Sequence, residues 1–511
     1  MSYTVEHKIG KYIYICRITS FWDKGKKQPR QNRQYISRKD PKTGKIFPLH
    51  SHNLPVISHH YGATSLLYHI ADSIELTKIL QETFPKQWQN ILACAFYQII
   101  EKRPLYLCEQ WAEITYLFDR SSLTSQRISE LLQSLGEQYA YRLQFFRNWA
   151  KMREEKEYIA FDITSISSYS ELIEWVEYGY NRDKENLPQI NLGMLFGYTS
   201  MLPVFYTLYP GSIKDVSTIK NMISFVNYLE IRNVIFVFDK GFYSERNIEE
   251  MLKKRRNFLI SVPFTVKAAY ELVERYIKEI DRMKNSFIIN DNVGYGIETK
   301  IKIGNRRLRA YVYIDKRKKL QAEEELVKKI KDIEAYIENL DDKNLKEVEA
   351  YCDENYKGWR NICFIEKKGE KFILQQNEKG IRNKLQLEGC MVVISNCKMK
   401  AQESLSLYRD KDIVEKAFDN LKNELDTNRL RVHKDISAQG RIFISFVALI
   451  LYSAINKIMK DNNLYERYTF DEMIRELHKI CLITIGKKKI FTELTKKQKE
   501  LMKIFKISLE S

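Results

Sequence analysis

Residues 405–425 read LSLYRDKDIVEKAFDNLKNEL and place Glu415 between two stripes of a predicted helix. At 100° per residue, one face of this helix collects apolar side chains at spacings of three and four, namely Val414, Phe418, Leu421 and Leu425. The adjacent face collects the polar side chains Tyr408, Lys411, Glu415 and Lys422. Glu415 is therefore predicted at the rim of a buried face, where the core holds a carboxylate that stays open to a substrate.

Two ordinary structural roles fit the same residues. Asp412 followed three positions later by Glu415 resembles a capping box that opens a helix. Lys411 and Glu415 also have the i,i+4 spacing of a stabilising ion pair. If the helix begins at Asp412, Tyr408 and Lys411 precede its first turn. Because charged stripes are most often solvated faces, this segment alone does not establish a catalytic role.

Two aspartates upstream lie in strand contexts. Residues 153–263 have the pattern β-β-β-α-β-α-β, in which EYIAFDITSIS carries Asp162 in the first strand and NVIFVFDKGFYS carries Asp239 directly after the fourth. Buried strands do not require acidic residues. Two aspartates and a glutamate gathered at a sheet edge can hold two divalent ions about 3.5–4 Å apart for in-line displacement at phosphorus. Carboxylate oxygens are the ligands that Mg²⁺ prefers.

Length and charge bound the kind of protein. A chain of 511 residues is expected to form about three domains. Its 84 Lys and Arg against 66 Asp and Glu leave a net charge of +18, which favours a polyanion such as nucleic acid. The longest apolar run, 442–455, is too short to span a bilayer, so no membrane is expected. The N-terminus lacks the layout of a signal peptide, and a cytoplasmic location is expected.

Cysteine and histidine usage offers no competing site. The eight cysteines form no CxxC pair, which argues against a disulfide framework and a structural zinc site. Four histidines crowd one short stretch, at His50, His52, His59 and His60. They could ligate a metal, but without cysteine partners a solvated linker is favoured.

We predict six segments along the chain. They are a β-hairpin and basic linker (1–60), a helical DNA-binding or dimerisation domain (61–152), the first part of a mixed-sheet α/β core (153–263), an inserted α+β subdomain (264–388), the second part of the core with the glutamate helix (389–460), and a basic helical region (461–511). Residues 24–45 hold nine basic residues and one acidic residue, a run that can follow phosphates.

The three acidic motifs together resemble the DDE transposases of bacterial insertion sequences, in particular the IS4-like group and its IS1634 branch. FDITS is similar to the first-aspartate strand of that group, and VFDKGFYS to its second-aspartate box. Tyr408, Lys411, Glu415 and Lys422 match its signature Tyr-x2-Arg-x3-Glu-x6-Lys with one departure, a lysine at 411 where arginine is usual. Arg409 is a candidate substitute for the phosphate contact. The likeness extends from about residue 60 to about residue 460.

The resemblance implies an RNase H-like core with an insertion between the second aspartate and the glutamate. It implies that the catalytic and metal-binding residues are Asp162, Asp239 and Glu415 and that the DNA-binding residues are Tyr408, Arg409, Lys411 and Lys422. The implied cofactor is a pair of Mg²⁺ ions, for which Mn²⁺ can substitute. The implied reaction is nicking at the element's ends and transfer of the freed 3′-hydroxyl into target DNA. Partners would be double-stranded DNA and, in the DNA complex, a second copy of the chain, at the nucleoid of a bacterium.

Two other classes remain open at this point. A structure-selective nuclease of the same fold would share the three carboxylates without recognising a terminal repeat. An inactive DNA-binding descendant would usually have lost an acidic residue, whereas all three are present here. Some members of the resembled family form a DNA hairpin with the help of a stacking aromatic side chain. Trp175 and Trp359 are candidates for it, with a buried core position as the alternative for each.

Overall fold

The structure is a computed structural model that describes residues 2–23, 25, 28–49, 56–117, 123–152, 158–170, 172–232, 234–289, 291–338, 344–368, 371–486 and 488–509. Its strands are β1 (Ser2–Ile9), β2 (Tyr12–Asp23), β3 (Gln28–Lys39), β4 (Ile46–Pro48), β5 (Val56–His60), β6 (Tyr158–Ser167), β7 (Gln189–Gly197), β8 (Pro203–Pro210), β9 (Ile235–Phe238), β10 (Asn257–Val262), β11 (Ser286–Ile289), β12 (Asn292–Ile303), β13 (Arg306–Ile314), β14 (Cys363–Lys368), β15 (Lys371–Gln376), β16 (Cys390–Ser395), β17 (Cys481–Ile485) and β18 (Lys488–Phe491).

The α-helices are α1 (Gly62–Ser73), α2 (Leu76–Thr83), α3 (Trp88–Glu101), α4 (Cys108–Ile114), α5 (Ser125–Glu137), α6 (Tyr139–Lys151), α7 (Ile219–Tyr228), α8 (Glu245–Lys253), α9 (Lys267–Tyr276), α10 (Lys316–Glu338), α11 (Leu345–Asn355), α12 (Glu378–Gln386), α13 (Ala401–Asp410), α14 (Asp412–Asp419), α15 (Asp435–Asp461), α16 (Phe470–His478) and α17 (Lys496–Ile504). A short π-helix, Asn420–Glu424, continues α14.

A large mixed sheet forms the centre of the molecule. Its strand order is β11-β12-β13-β16-β10-β9-β6-β7-β8. Strands β6, β9 and β10 run parallel, and the other neighbours pair antiparallel. All nine residues of β7 are buried, as expected for a strand covered on both faces. The prediction of an α/β protein built on a mixed sheet is confirmed.

Helix α15 forms the core of the helical region. It packs against α3 and α5, which lie more than 290 residues earlier in the chain, and each residue from Ile442 to Tyr452 is buried. By length and composition α15 is apolar enough to cross a membrane, with a mean hydropathy of 2.0, and 83% of its most apolar window is buried within the protein. The helices predicted over 61–152 therefore share one core with a helix from the other end of the chain.

The N-terminal segment differs from the predicted hairpin. Strands β1 to β4 form a four-stranded antiparallel sheet, because β2 pairs with β1 on one side and β3 on the other. Nearly all side chains of β3 are exposed or half-exposed. The sequence of β3 is basic and lacks apolar alternation, which is why it resembles a solvated loop.

The predicted insertion over 264–388 divides into two parts. Strands β11, β12 and β13 join the large sheet, and β13 pairs directly with β16. The remainder, from α10 to α12, builds a separate small core around Ile333, Val348 and Trp359. The self-contained part of the insertion thus begins at α10 and not at residue 264.

Two strands from distant parts of the chain, β5 and β17, pair with each other. Strand β5 pairs antiparallel with β17, so that Cys481 lies opposite His60. Strand β18 completes a three-stranded sheet. The predicted basic linker and the predicted helical C-terminal region both contribute strands to this sheet, which local sequence patterns did not indicate.

The crossing of α5 and α15 depends on two glycines. A Cβ atom on Gly440 would overlap the carbonyl oxygen of Leu132, and one on Gly136 would overlap the carbonyl oxygen of Ile436. The two backbones therefore approach more closely than any side chain at these positions permits.

Gly440→Ala is expected to destabilise the protein by about 1–3 kcal/mol, since the added methyl group has no space at the crossing. In a solvent-exposed helix the same change would stabilise the protein by up to about 1 kcal/mol. The sign of the change in unfolding free energy therefore shows whether the position is packed. Urea denaturation of the full chain gives the measurement, with exposed Lys460→Ala as a control that should stay within about 0.5 kcal/mol. A stabilised Gly440→Ala protein would contradict this packing.

Candidate active site

The register of β6 and β9 brings the two aspartates to the same level. These parallel strands pair Tyr158 with Ile235 and Ala160 with Val237. Two residues further along each strand lie Asp162 and Asp239. The sequence prediction that these two aspartates lie close together follows from this pairing.

Glu415 reaches the same region from a helix. Helix α14 packs against β6 and β7 through its apolar face, on which Val414 and Phe418 are buried. The Glu415 side chain is 55% exposed. Its predicted position at the rim of a buried face is therefore the observed one. The alternative capping box is not formed, since α14 has no side-chain cap.

Lys411 lies among the carboxylates. Its Nζ is 2.9 Å from Glu415 Oε1, 3.9 Å from Asp239 Oδ1 and 4.0 Å from Asp412 Oδ1. Burial by itself would lower the pKa of Lys411, but the charges of Asp239 and Glu415 outweigh burial and raise that pKa above its ordinary value. The ammonium group is therefore charged and balances several acidic groups at once.

This ammonium is the cation that the carboxylates hold. Within the described part of the chain, no three acidic, histidine or cysteine side chains lie close enough together, as placed, to bind a metal ion. The donor atoms are nevertheless hard carboxylate oxygens of the kind that Mg²⁺ prefers. Two of them, Asp239 and Glu415, already lie within 4 Å of a positive charge, so the chemistry of the donor set Asp162, Asp239 and Glu415 fits a cation.

Asp162 is the most buried of the three carboxylates. Burial raises the pKa of Asp162 to about 7, against the opposing effects of the Ile163 N–H and the charges of Arg182 and Lys411. The Ile163 N–H donates to Asp162 Oδ1 at 2.8 Å. A carboxyl with a pKa near neutrality gains strongly from any additional nearby cation.

Tyr408 orients the second aspartate. Its hydroxyl donates to Asp239 Oδ1 at 2.7 Å, and the residue is only 9% exposed. Burial and the charge of Asp239 raise the pKa of Tyr408 well above its ordinary value, so the phenol remains a donor. Tyr408, predicted on the polar stripe beside Glu415, is therefore turned inward to Asp239.

Lys422 also leaves the predicted stripe. It belongs to the π-helix Asn420–Glu424, is 7% exposed, and its Nζ is 2.8 and 2.7 Å from the two carboxylate oxygens of Asp183. A π-helix holds more residues per turn than an α-helix, so positions after Asn420 rotate relative to an α-helical extrapolation. This rotation turns Lys422 toward Asp183 and away from the surface next to Glu415.

Arg409 faces a cavity beside Asp239. Its Nη2 is 3.4 Å from Asp315 Oδ2, and the cavity has a volume of about 570 Å³. The cavity is lined by four cationic side chains, Lys240, Lys318, Arg409 and Lys411. Aromatic side chains, among them Phe264, Tyr313 and Tyr408, complete part of its wall. Three carboxylates, those of Asp239, Asp315 and Asp412, line the cavity as well.

The segment 168–188, in which the sequence indicates no site residue, contributes charged side chains near the site, among them Arg182, whose charge acts on Asp162. Arg182 pairs with Asp215, and Glu185 Oε1 lies 2.6 Å from Arg429 Nη2. The Ser165 hydroxyl donates to the Asn191 side chain at 3.2 Å. The sequence feature that could have indicated these ion pairs is the alternation of charges in NRDKEN at 181–186. Their partners, however, lie as far as 244 residues away in the sequence.

The other candidates from the sequence have structural roles. Trp359 is buried and its Nε1 donates to Asp353 Oδ1 at 2.9 Å, while Trp175 is half-buried against the main core. The eight cysteines are all free.

The described part of the histidine-rich stretch, residues 56–60, is a strand and not the solvated linker that the sequence favours. His59 and His60 belong to β5, and His60 Nδ1 is 2.9 Å from the His478 carbonyl oxygen. His50 and His52 lie outside the described residues.

Comparison with known proteins identifies the region that carries these residues. The family model described as Transposase DDE domain matches residues 153–451, which include the three carboxylates. Among solved structures, the cryo-EM structure of a piggyBac transposase synaptic complex with hairpin DNA is similar, with 9% sequence identity and coverage of 82% of this chain and 76% of that chain. Its TM-score is 0.34. None of the curated proteins matches the chain.

The raised pKa of Asp162 predicts a pH-dependent stability in EDTA. Because the folded-state pKa of about 7 exceeds the unfolded value near 3.9, the native state binds more protons between these values, and stability falls as pH rises through this window. The free energy of unfolding of Asp162→Asn should not fall in this window. At pH 8 it should exceed that of the wild type by up to about 4 kcal/mol, and the difference should vanish toward pH 4.

Urea denaturation at several pH values measures the Asp162 effect. Asp461→Asn, at the exposed end of α15, reports the effect of removing a surface carboxylate. A constant gap between Asp162→Asn and the wild type from pH 4 to pH 8 would show that the Asp162 pKa is not raised.

The pair of Lys422 and Asp183 predicts a coupled loss of stability. Lys422→Ala leaves the Asp183 carboxylate without its cation, and Asp183→Ala leaves a buried ammonium. Each change should cost about 2 kcal/mol, below the range for fully buried pairs because the Asp183 side chain is 39% exposed. The double variant should lose at least about 1 kcal/mol less than the sum of the two. If each single change leaves the free energy of unfolding nearly unchanged and Lys422→Ala weakens DNA binding, the ion pair does not stabilise the protein. Lys422 would then be a DNA-contact residue.

Proposed function

Since the chain belongs to the DDE transposases, a family of phosphoryl-transfer enzymes, we propose that it cleaves DNA at the ends of an insertion sequence and joins the freed 3′-hydroxyl to target DNA. We place it in the IS4-like group and its IS1634 branch on the strength of the spacing of Tyr408, Lys411, Glu415 and Lys422. The mixed sheet with parallel β6, β9 and β10 is consistent with an RNase H-like core.

The observation that carries this proposal is the approach of carboxylates from separate elements to one cation, Lys411, whose Nζ is 2.9 Å from Glu415 Oε1 and 3.9 Å from Asp239 Oδ1, with Asp162 on the strand next to Asp239. Asp162 comes from within β6, Asp239 from the end of β9, and Glu415 from the exposed edge of α14. Folding does not require acidic groups at these positions, and gathering them raises the free energy of the protein unless a cation is present. Phosphoryl transfer provides a reason for such an arrangement.

Asp162, Asp239 and Glu415 would hold the divalent metal ions, with Mg²⁺ as the expected ion and Mn²⁺ as a substitute. Bound there, the metal would supply Lewis-acid stabilisation of the attacking and leaving oxygens at phosphorus. Tyr408 keeps one oxygen of Asp239 in a fixed orientation through its hydrogen bond. Helix α14 fixes the backbone of Glu415, since Val414 and Phe418 are anchored in the core.

The cations around the cavity would position the DNA. Lys240, Lys318 and Arg409 line the cavity next to Asp239 and can contact phosphates as the backbone passes. Arg409 is the one with a planar guanidinium, so it can replace the arginine that the related signature has at position 411. Asp315 competes for Arg409 in the DNA-free protein.

The N-terminal sheet offers a second DNA contact. Strand β3 presents Arg30 and Arg33 on its exposed surface, and Trp22 and Tyr35 are exposed nearby on β2 and β3. Basic side chains together with exposed aromatic rings are typical of nucleic-acid surfaces. We propose that this sheet contributes to binding of the terminal repeats, in a complex with two copies of the chain and in a bacterial cytoplasm.

The decisive test is cleavage of a labelled terminal repeat by single alanine variants of Asp162, Asp239 and Glu415 with Mg²⁺ or Mn²⁺. Each variant should lose at least about a thousandfold of end cleavage and strand transfer, because the three carboxylates act as one unit. Double variants should lose little more. Asp461→Ala serves as the matched control, and circular dichroism checks folding.

The same experiment separates the proposal from its alternatives. DNA binding without metal should survive in the three variants, because removing a carboxylate lessens repulsion of phosphate. Substantial cleavage by folded Asp239→Ala or Glu415→Ala protein would place the active site elsewhere. Cleavage of branched DNA without any preference for the terminal repeat would favour a structure-selective nuclease.

A further inference from the structure

The cation found among the catalytic carboxylates is a side chain of the protein itself. Lys411 Nζ contacts Glu415 Oε1 at 2.9 Å and lies 3.9 Å from Asp239 Oδ1. The Lys411 side chain is only 16% exposed, so water screens these contacts weakly. Lys411 is therefore a shared counter-ion of Asp239 and Glu415.

We propose that Lys411 is a resident counter-cation that occupies the metal position and that a divalent ion must displace. This inference rests on the proposed function, since it takes Asp162, Asp239 and Glu415 as the metal ligands. It goes further by giving Lys411 two states. In the metal-free state the ammonium holds the carboxylates together, and in the metal-bound state it moves away from them.

The displacement follows from charge. An ammonium 2.9 Å from a ligand oxygen occupies the side of that oxygen which a metal ion would need. A divalent ion in the same cluster would also repel the ammonium strongly at such short range.

The structure offers Lys411 a second position. The residue also lines the cavity beside Asp239, together with Asp412 and Asp315. The lysine stem is flexible and its ammonium makes no fixed fork of hydrogen bonds, unlike the guanidinium of an arginine. Rotation of the stem toward the cavity would move the Lys411 ammonium away from Glu415. The ammonium would then lie at the surface where we propose that DNA phosphates pass.

The Lys411 ammonium also reduces the repulsion among the carboxylates of the active site when no metal ion is bound. Without Lys411, Asp239, Asp412 and Glu415 would repel one another, and buried Asp162 would lose one of its cationic neighbours. A variant without this charge should therefore be less stable when metal-free. It should also bind metal more tightly, because the ion no longer competes with a resident cation.

The test is isothermal titration of Mn²⁺ into the full-length, metal-free protein. Lys411→Gln should bind Mn²⁺ about tenfold or more tightly than the wild type, since one competing charge is removed. Lys416→Gln is the matched control, because Lys416 has the same charge on the same helix and faces solvent, and it should stay within about twofold. Asp239→Asn should abolish the titration and thereby assign it to this site.

Thermal unfolding gives a second readout that does not depend on catalysis. In EDTA, Lys411→Gln should melt below the wild type, and saturating Mn²⁺ should raise its Tm by more than it raises that of the wild type. Mn²⁺ binding that requires Asp239 but is unchanged or weaker in folded Lys411→Gln protein would overturn this inference and leave the proposed function intact. Absence of any Asp239-dependent Mn²⁺ binding in both proteins would overturn both.

Discussion

Charge balance among neighbouring carboxylates, of which Asp162 is partly buried in β6, is the constraint on which the site depends. Asp162 lies within an apolar strand, where burial disfavours its charged form, and two further carboxylates approach the same place. Only a cation makes such a cluster tolerable in a folded protein. In the structure that cation is Lys411, so the helix junction that carries this lysine is as much a part of the site as the aspartates.

The elements around the cluster are arranged to keep it in place. Helix α14 is anchored by its apolar face against β6 and β7, and the π-helix behind it is tied to the 168–188 segment by Lys422 and Asp183. The same segment is held to β6 by the hydrogen bond between the Ser167 hydroxyl and Glu185. Apolar packing thus holds α14 itself, and the ion pair of Lys422 with Asp183 holds the π-helix that continues it.

Sequence patterns predicted the parts of the site that depend on local periodicity. The strand that contains Asp162, the strand that ends just before Asp239 and the apolar stripe beside Glu415 follow from spacing alone, since a strand repeats every two residues and a helix every 3.6. What could not be predicted are the features decided by distant partners. The pairing of β5 with β17, the basic strand β3, and the turn of Lys422 toward Asp183 have no signal within their own segments.

The four residues of the signature around Glu415 occupy three different environments because the helix is interrupted twice. A break at Lys411 separates α13 from α14, and the π-helix begins at Asn420. Tyr408 therefore reaches inward to Asp239, Lys411 lies among the carboxylates, and Lys422 pairs with Asp183. An uninterrupted helix would have placed all four on one stripe. The spacing of this signature thus places a phenol and two ammonium groups against acidic side chains, because the two interruptions turn each of these residues toward a different carboxylate.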